Sequence, residues 1–233
     1  TISLPIWPSA WGTVEMPSGI IKQKKGEFYT VRLLTVAGRF DASSIKALAE
    51  VVERFALPAV HLTVRQGIEI PDVPGDALDA FVAALAEAGI ELGLTGKRVR
   101  GTTACPGVAR CRYGQTDSQG LAGKLHIRLR HRDGLPAKFK VAVAGCPNSC
   151  TKPLENDLGV IGTAKGFRLV VGGKMGKQPR MATPLPMTIS SEDEVVTAAE
   201  QIVDWFARHG LDKERFGDTI DRLGVSSLQQ SVV

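Results

Sequence analysis

Apolar positions in the first third of the chain switch between strand and helix spacing. Residues 28–35, FYTVRLLT, have the β-branched and aromatic content of a strand. Asp41 then caps a helix that reaches about Phe55 and carries apolar residues at three- and four-residue steps. The apolar residues of this helix are Ile45, Leu48, Ala49, Val52 and Phe55. The pattern therefore predicts a strand followed by an amphipathic helix.

The next segment, residues 60–70 (VHLTVRQGIEI), alternates as a strand, with Val60, Leu62 and Val64 on one face. Gly67 marks a break or a bulge in it. A second helix over 75–88 and a short strand over 90–94 follow. If the long strand counts as two, the order is β-α-β-β-α-β, which is typical of a ferredoxin-like α/β sandwich.

Residues 1–26 are rich in Pro, Gly and Trp without a sustained period, and they are interpreted as an extended arm. The arm and the sandwich form a predicted domain of residues 1–95.

From residue 96 the chain becomes rich in Gly, Arg and Cys. Strands are predicted over 137–144, 158–161 and 167–171, and a helix over 192–209. Ser191 and Glu194 form a capping box for that helix, and Gly210 ends it. Its buried stripe comprises Val195, Ala199, Ile202 and Phe206. Residues 96–233 are therefore a second, mixed α/β domain, and the whole chain is of the α+β class.

Composition excludes several classes of protein. Of the 233 residues, 43% are hydrophobic and 23% charged, which is typical of a globular chain and excludes disorder. No apolar stretch is long enough for a membrane span, and residues 1–12 lack the pattern of a signal peptide. We therefore expect a cytoplasmic enzyme. The formal net charge of +5 indicates an acidic partner.

The four cysteines form two close pairs, Cys105 with Cys111 in CPGVARC and Cys146 with Cys150 in CPNSC. A disulfide scaffold is not expected in a chain of this length without signs of secretion. Structural zinc sites pair cysteines two to four residues apart, which suits only the second pair. An iron-sulfur cluster accepts a wider range of spacings. Spacing alone favours the cluster, followed by zinc and then by cysteines without a ligand role.

Each pair is followed by signs of a helix start. Pro147 directly follows Cys146, and proline is favoured in the first turn of a helix. Cys146 would then be the helix N-cap, where free N–H groups favour the thiolate. Cys105 is followed by Pro106 and Gly107, so the same argument applies there.

Basic residues gather near the cysteines. They are Lys97, Arg98, Arg100, Arg110, Arg112, Lys138, Lys140, Lys174, Lys177 and Arg180. Lys138 and Lys140 are two positions apart on a predicted strand, so both leave the same face. Two ammonium groups on one face repel each other, and an anion between them relieves the repulsion. The alternative is the solvated face of a half-exposed strand. Nucleic acid is not expected as a partner, because aromatic residues make up only 6% and few lie among the basic positions.

Five segments together resemble the siroheme-dependent sulfite and nitrite reductases, a family that includes the dissimilatory sulfite reductases. They are CPGVARC, KFKVAVAGCPNSC, TVRQGIEI, FYTVRLLTVAG and LVVGGKMGKQPR, and they span roughly residues 20–185. In length the chain is similar to the low-molecular-weight assimilatory-type sulfite reductases. The resemblance implies a ferredoxin-like half followed by a domain that binds siroheme and a 4Fe-4S cluster.

The resemblance also implies roles for individual residues. The ligands of the 4Fe-4S cluster would be Cys105, Cys111, Cys146 and Cys150, and the sulfur of Cys150 would also be the axial ligand of the siroheme iron. Arg65 and Gln66 would contact the tetrapyrrole, and Lys174 and Arg180 other carboxylates of siroheme, which carries eight. The residues that bind and protonate the oxyanion would be Arg32, Arg100, Lys138 and Lys140.

The implied reaction is the six-electron reduction of sulfite to sulfide. The chain has no room for a flavin or nicotinamide domain beside these two units, so electrons would come from an external carrier such as ferredoxin or a small cytochrome. Relatives commonly contain two ferredoxin-like halves, so one half suffices here or another copy completes the pocket in a homo-oligomer. The alternatives are nitrite reduction to ammonia and a non-catalytic iron-sulfur or zinc binding protein.

Overall fold

The computed structural model describes residues 17–24, 26–187 and 189–232. The first sheet contains strands β1 (Ile20–Lys22), β2 (Phe28–Leu33), β3 (His61–Leu62) and β4 (Ile68–Pro74), all antiparallel, in the order β1-β2-β4-β3. Helices α1 (Ala42–Arg54) and α2 (Leu78–Glu87) pack on this sheet. Most of the predicted arm lies outside the described residues, but its end forms strand β1.

The predicted long strand over 60–70 is wrong in its middle, where the chain makes a tight turn. The N–H of Gln66 donates to the carbonyl of Thr63 at 3.0 Å, and Gln66 has a left-handed φ of 57°. The segment is a hairpin, so counting it as two strands was right. The three apolar residues assigned to one face of that strand are exposed: Val60 by 39%, Leu62 by 74% and Val64 by 96%. The short strand predicted over 90–94 is reduced to one bridge between Leu33 and Leu92.

Helix α1 begins as predicted, because the Asp41 carboxylate accepts a hydrogen bond from the N–H of Ser44 at 2.9 Å. The predicted buried stripe is partly wrong. Leu48, Val51 and Val52 are buried, whereas Ile45 is 55% exposed. The helix is therefore rotated relative to the predicted face, and Ile45 lines an apolar cavity beside β3.

The second sheet is mixed. Its strands are β5 (Thr103–Ala104), β6 (Val141–Ala144), β7 (Leu158–Thr163), β8 (Gly166–Val171) and β9 (Thr183–Pro184), in that order. The first three are parallel and the last two antiparallel to their neighbours. Short 3-10 helices cover Gly107–Ala109 and Pro153–Glu155. The β5 to β6 connection carries helix α3 (Ser118–Leu129), which the sequence pattern did not reveal.

Helix α4 (Glu192–His209) matches its predicted bounds and cap, and its four predicted stripe residues are fully buried. It is followed by α5 (Phe216–Leu223) and α6 (Val225–Gln229). Phe139 packs against Phe206 and Phe216 at ring-centroid distances of 5.9 and 5.1 Å. The two sheets bury separate cores, and a domain division near residue 95 remains our proposal.

No helix among the described residues combines the length and apolar character needed to span a bilayer.

Candidate active site

The two cysteine loops leave neighbouring parallel strands. Cys105 directly follows β5, and Cys146 comes two residues after the end of β6. Because β5 and β6 are parallel, their carboxyl ends meet at one edge of the sheet, where ligands bind in open α/β sheets. The fold therefore brings two sequence-distant loops to one place.

The loops are also in direct contact. The N–H of Gly145 donates to Sγ of Cys105 at 3.1 Å. A Cβ on Gly145 would lie 2.8 Å from Cα of Gly107, so only glycine permits this approach. All four cysteines are free thiols, and the Cys150 residue is exposed.

The helix starts predicted after Cys146 and Cys105 are wrong. Residues 147–151 form turns, in which the N–H of Ser149 donates to the carbonyl of Cys146 at 3.2 Å. Gly107–Ala109 is a single 3-10 turn. Burial raises the pKa of the Cys105 thiol, but the hydrogen bonds of its sulfur with the hydroxyl of Ser118 and with the N–H of Gly145 lower the pKa by more, so it lies below its ordinary value. Individual hydrogen bonds thus favour the thiolate here, without a helix dipole.

The tight contact between the loops gives a stability prediction. We expect Gly145→Ala to lower the free energy of unfolding by about 2 kcal/mol or more, because the new methyl group meets backbone that cannot move aside easily. A matched control is Gly123→Ala in α3, where a Cβ meets nothing within 4 Å and should stabilise by about 0.5–1 kcal/mol. Urea denaturation of both variants measures the difference. Equal stability of the two would contradict the described loop packing.

A cleft lined by positive side chains lies beside these loops and is called the cationic cleft. Its first lobe, of about 270 Å³, is lined by the side chains of Arg32, Arg65, Arg100, Lys138 and Lys140 and by segments near 33–35 and 93–94. All four residues proposed to hold the oxyanion therefore meet in one lobe, although they come from both sheets. Arg65 joins them there.

Local pairing explains how these side chains reach the lobe. The N–H of Arg100 donates to the carbonyl of Phe139 at 2.8 Å, which places Arg100 beside the KFK segment. Phe139 is fully buried, so Lys138 and Lys140 leave the opposite face. From the first sheet, Arg32 projects out of β2, and its Nε donates to Glu69 at 2.9 Å.

The positive charges in the lobe repel one another. Burial lowers the pKa of Lys140 to about 8, and the positive charges of Arg65, Lys138 and Arg215 lower it too. Burial together with neighbouring arginines, Arg32 first among them, lowers the pKa of Arg100 to about 10. The Nε of Arg100 is buried and has no hydrogen-bond partner among the described residues. An anion in the lobe would relieve the repulsion between these positive charges.

A second lobe, also of about 270 Å³, shares Val64, Arg65 and Lys140 with the first. It brings in Gln66 and Cys150, and Met175 lines it as well. Val64 is 96% exposed and Met175 51% exposed. The cleft therefore offers a thiol, apolar side chains and several cations, a combination that fits a flat apolar macrocycle with a carboxylate rim.

Arg65 and Gln66 also bridge the two sheets. Arg65 donates to Oδ1 of Asn156 at 2.6 Å and to the carbonyl of Gly101 at 3.2 Å. The side-chain amide of Gln66 makes two hydrogen bonds to the backbone of Ala104, at 2.8 and 2.9 Å. Gln66 thereby fixes Ala104, the residue next to Cys105. Gln66 therefore has a structural role, and it also lines the second lobe.

Lys174 and Arg180, the other two predicted siroheme contacts, do not line either lobe. Lys174 forms an ion pair with Asp218. Arg180 directs its guanidinium to Asp221, to the carbonyls of Val171, Gly172 and Met181 and to the hydroxyl of Thr183. In this structure the two cations hold the loop after β8 against α5, and their role as cofactor contacts stays a prediction without support from these contacts.

Two further residues of the site were missed. Asp157 is fully buried below Lys140 and accepts a hydrogen bond from the N–H of Lys140 at 2.8 Å. Arg215 pairs with Asp157 and contributes another positive charge near the cleft. An Asp immediately before the apolar strand LGVIG was the available signal for Asp157. Arg215 lies in no motif, so no local pattern marked it.

Within the described ranges, no group of three or more His, Cys, Asp or Glu side chains is arranged to hold a metal ion. The donor chemistry nevertheless fits an iron-sulfur cluster, because four free thiols lie on two loops that touch through Gly107 and Gly145. Thiolates are the ligands that such clusters use, and Cys150 also borders the cationic cleft.

Comparison with known families matches almost the whole chain. Residues 95–233 match the nitrite and sulphite reductase 4Fe-4S domain, and residues 21–88 match the nitrite/sulfite reductase ferredoxin-like half domain.

Individual relatives point the same way. The chain is 27% identical to an assimilatory-type sulfite reductase of Nitratidesulfovibrio vulgaris, over 93% of this chain and 98% of that one. It is 32% identical to the large subunit of the NAD(P)H nitrite reductase of Klebsiella oxytoca, over 91% of this chain and 22% of that one. A crystal structure of dissimilatory sulfite reductase I superposes with a TM-score of 0.80 at 20% identity, covering 88% of this chain and 69% of that chain. This likeness confirms the predicted fold class.

Proposed function

This chain belongs to the nitrite and sulphite reductase 4Fe-4S family, and from that premise we propose that it reduces sulfite to sulfide with electrons from an external carrier. Membership brings the family's two cofactors, siroheme and a 4Fe-4S cluster. The observation that carries the proposal is the convergence of five cations on a cleft that also contains Cys150.

The charge balance of the cleft favours a small anion. Three carboxylates among the described residues belong to this region, and each already has a partner, since Glu69 pairs with Arg32, Glu155 with Lys152 and Asp157 with Arg215. A unit charge about 4 Å from an opposite charge gains roughly 4 kcal/mol at an effective dielectric of 20. Several such contacts on the oxygens of one anion offset the cost of removing it from water.

The protein's own groups bind the anion and supply protons. When bound, the cluster and siroheme would pass electrons from the external carrier to the anion, and the siroheme would supply a Lewis-acidic iron. The guanidinium groups of Arg32 and Arg100 would hold the oxygens and stabilise negative charge as it develops on them. Nζ of Lys140 or of Lys138 would donate protons as each oxygen leaves as water. The balance is HSO₃⁻ + 6 e⁻ + 6 H⁺ → HS⁻ + 3 H₂O.

We assign Cys105, Cys111, Cys146 and Cys150 to the cluster, with Cys150 facing the siroheme. This assignment is supported by the contact between the two loops and by the position of Cys150 in the second lobe. Arg65 and Gln66 border the same lobe, where siroheme carboxylates would meet the guanidinium of Arg65.

An external carrier would deliver electrons near the first cysteine loop. That loop exposes Val108 by 56% and Tyr113 by 54%. The guanidinium of Arg112 lies 4.7 Å from the centre of the Tyr113 ring, and Arg110 is exposed beside it. A basic and partly apolar surface suits a small acidic carrier such as ferredoxin.

The direct test compares the two candidate anions. Anaerobically prepared holoprotein should form sulfide from sulfite with reduced viologen, at a higher kcat/KM than it forms ammonia from nitrite. Nitrite reduction is the alternative favoured by the likeness to the nitrite reductase large subunit. A higher kcat/KM for nitrite would show that nitrite, and not sulfite, is the preferred substrate. Failure to reduce either anion would contradict the assignment of reductase activity.

The pKa of Lys140 gives a pH prediction. A lysine whose pKa is about 8 loses its proton as the pH rises through 8, so kcat/KM for sulfite should fall on the alkaline side with a midpoint near that value. A bound anion favours the ammonium form, so the corresponding limb of kcat should lie at higher pH. An arginine at this position stays protonated, so Lys140→Arg should lose the alkaline limb. Its maximal rate should also be lower than that of the wild type. An unchanged alkaline limb in Lys140→Arg would exclude Lys140 as the titrating group.

A further inference from the structure

A buried ion pair lies directly beneath the cationic cleft. Nη2 of Arg215 lies 2.8 Å from each carboxylate oxygen of Asp157. The Asp157 side chain is fully buried, and that of Arg215 is 16% exposed. Arg215 immediately precedes α5, so the pair ties the C-terminal helices to the start of β7.

The same carboxylate holds the backbone that carries Lys140. Oδ2 of Asp157 accepts the N–H of Lys140, and the carbonyl of Lys140 accepts the N–H of Leu158 at 3.0 Å. Asp157 therefore fixes the backbone of Lys140 from below, while Lys140 itself lines both lobes of the cleft.

Asp157 is also an electrostatic competitor of the substrate. Its negative charge acts on both Lys140 and Arg65, and the positive charge of Arg215 opposes that effect on each of them. With Arg215 in place, both oxygens of Asp157 have a partner. Without it, the buried carboxylate would keep the N–H of Lys140 as a hydrogen-bond partner, and the cleft cations Lys140 and Arg65 would be left to balance its charge.

We propose that Arg215 is a positioning residue that occupies Asp157 and so keeps Lys140 and Arg65 available to the substrate anion. The inference rests on the proposed function, because it concerns the same cleft. It assigns a role to a residue outside every motif and makes the C-terminal segment part of the site.

The test is a rescue experiment with sulfite as the probe. Arg215→Gln should weaken sulfite binding to the holoprotein on the order of tenfold, because the freed carboxylate of Asp157 attracts the cleft cations. Asp157→Asn added to Arg215→Gln removes that competitor and should bring the affinity back to within about threefold of the wild-type value. If Arg215 acted only as a structural support, the double variant would bind as weakly as the single one or more weakly, and that result would overturn the proposal.

Two further variants guard against misfolding and unspecific effects. Arg215→Lys keeps a positive charge on Asp157 and should bind sulfite with intermediate affinity. Arg222→Gln breaks an exposed pair with Glu214 in the same C-terminal segment and should leave the affinity unchanged. A loss in Arg222→Gln equal to that in Arg215→Gln would show a general effect of the segment and contradict the proposal.

A second readout is independent of turnover. The reactivity of the Lys140 amine towards acetic anhydride can be followed across pH by mass spectrometry. The charged groups around this residue are Arg32, Arg65, Arg100, Lys138, Lys152, Glu155, Asp157 and Arg215. In Arg215→Gln the labelling midpoint of Lys140 should move to higher pH, and in the double variant it should return. An unmoved midpoint in Arg215→Gln would overturn the proposal.

Different results would contradict the proposed function and the proposed role of Arg215. Wild-type holoprotein that forms no sulfide contradicts the proposed function, whereas the labelling of Lys140 still decides the role of Arg215. An active wild type with unchanged sulfite affinity and labelling in Arg215→Gln overturns only the role of Arg215.

Discussion

Replacing both Lys138 and Lys140 with alanine is expected to reduce sulfide formation by at least about a thousandfold while both cofactors stay bound. In the proposed mechanism the two ammonium groups donate the protons, and proton transfer of this kind contributes roughly 10²–10⁴-fold to a rate. They would also stabilise charge on the departing oxygens, a contribution of comparable size. The measurement is sulfide formation with reduced viologen, alongside the iron content and the visible spectrum.

The lysine prediction has a matched control in Lys46→Ala, because Lys46 is exposed on α1 and lies outside both lobes of the cleft. This variant should keep wild-type activity. Retained activity in the double alanine variant would show that the oxyanion is reduced elsewhere.

Replacing Cys150 with serine is expected to remove siroheme and the intact cluster from the protein. A serine hydroxyl is a poorer iron ligand than a thiolate, and Cys150 is the thiol that borders the cationic cleft. The loss should appear as reduced total iron, reduced acid-labile sulfide and loss of the haem absorption bands. Folding around the two cores should persist, because the Cys150 residue is exposed and belongs to neither core.

Met175→Leu is the control for the cysteine variant, since Met175 borders the same lobe without a ligand role. It should retain normal iron and sulfide contents. Full cofactor content in Cys150→Ser would contradict the assignment of this thiol.

The sequence was most informative where one short segment contains all the residues that determine a structural feature. The KFK segment alternates around a core phenylalanine, so the common face of Lys138 and Lys140 followed from strand spacing, and the structure places both in one cleft. Helix α4 was predicted with its cap because Ser191 and Glu194 are close in sequence. The paired cysteine loops were marked by their own spacing.

It was least informative where contacts join distant parts of the chain. The turn at Gln66 depends on hydrogen bonds that this residue makes to the backbone of Ala104, which no local pattern reveals. The apparent strand face of Leu62 and Val64 is exposed because the hairpin lies at the sheet edge and its turn borders the cleft. Arg215 was missed because only tertiary packing brings it to Asp157.

The sequence also did not reveal the ion-pair partners of Lys174 and Arg180. A basic residue near a cofactor motif suggests a carboxylate contact, but α5 supplies Asp218 and Asp221 to these two side chains. Since α5 has no motif of its own, its acidic residues could not be placed near the loop after β8 from sequence. The positions of basic residues in the sequence thus predict a positively charged region, but they do not predict which group each side chain binds.

In the proposed mechanism the cleft next to Cys150 holds the haem that reduces the anion, and the cluster lies between the two cysteine loops. Iron-edge anomalous diffraction from crystals of the anaerobic holoprotein locates both groups. We expect a compact group of four irons between the loops of Cys105 and Cys146, and a separate iron in the cleft on the side of Lys140. A single zinc on the cysteines, or a haem iron away from the cationic cleft, would contradict this mechanism.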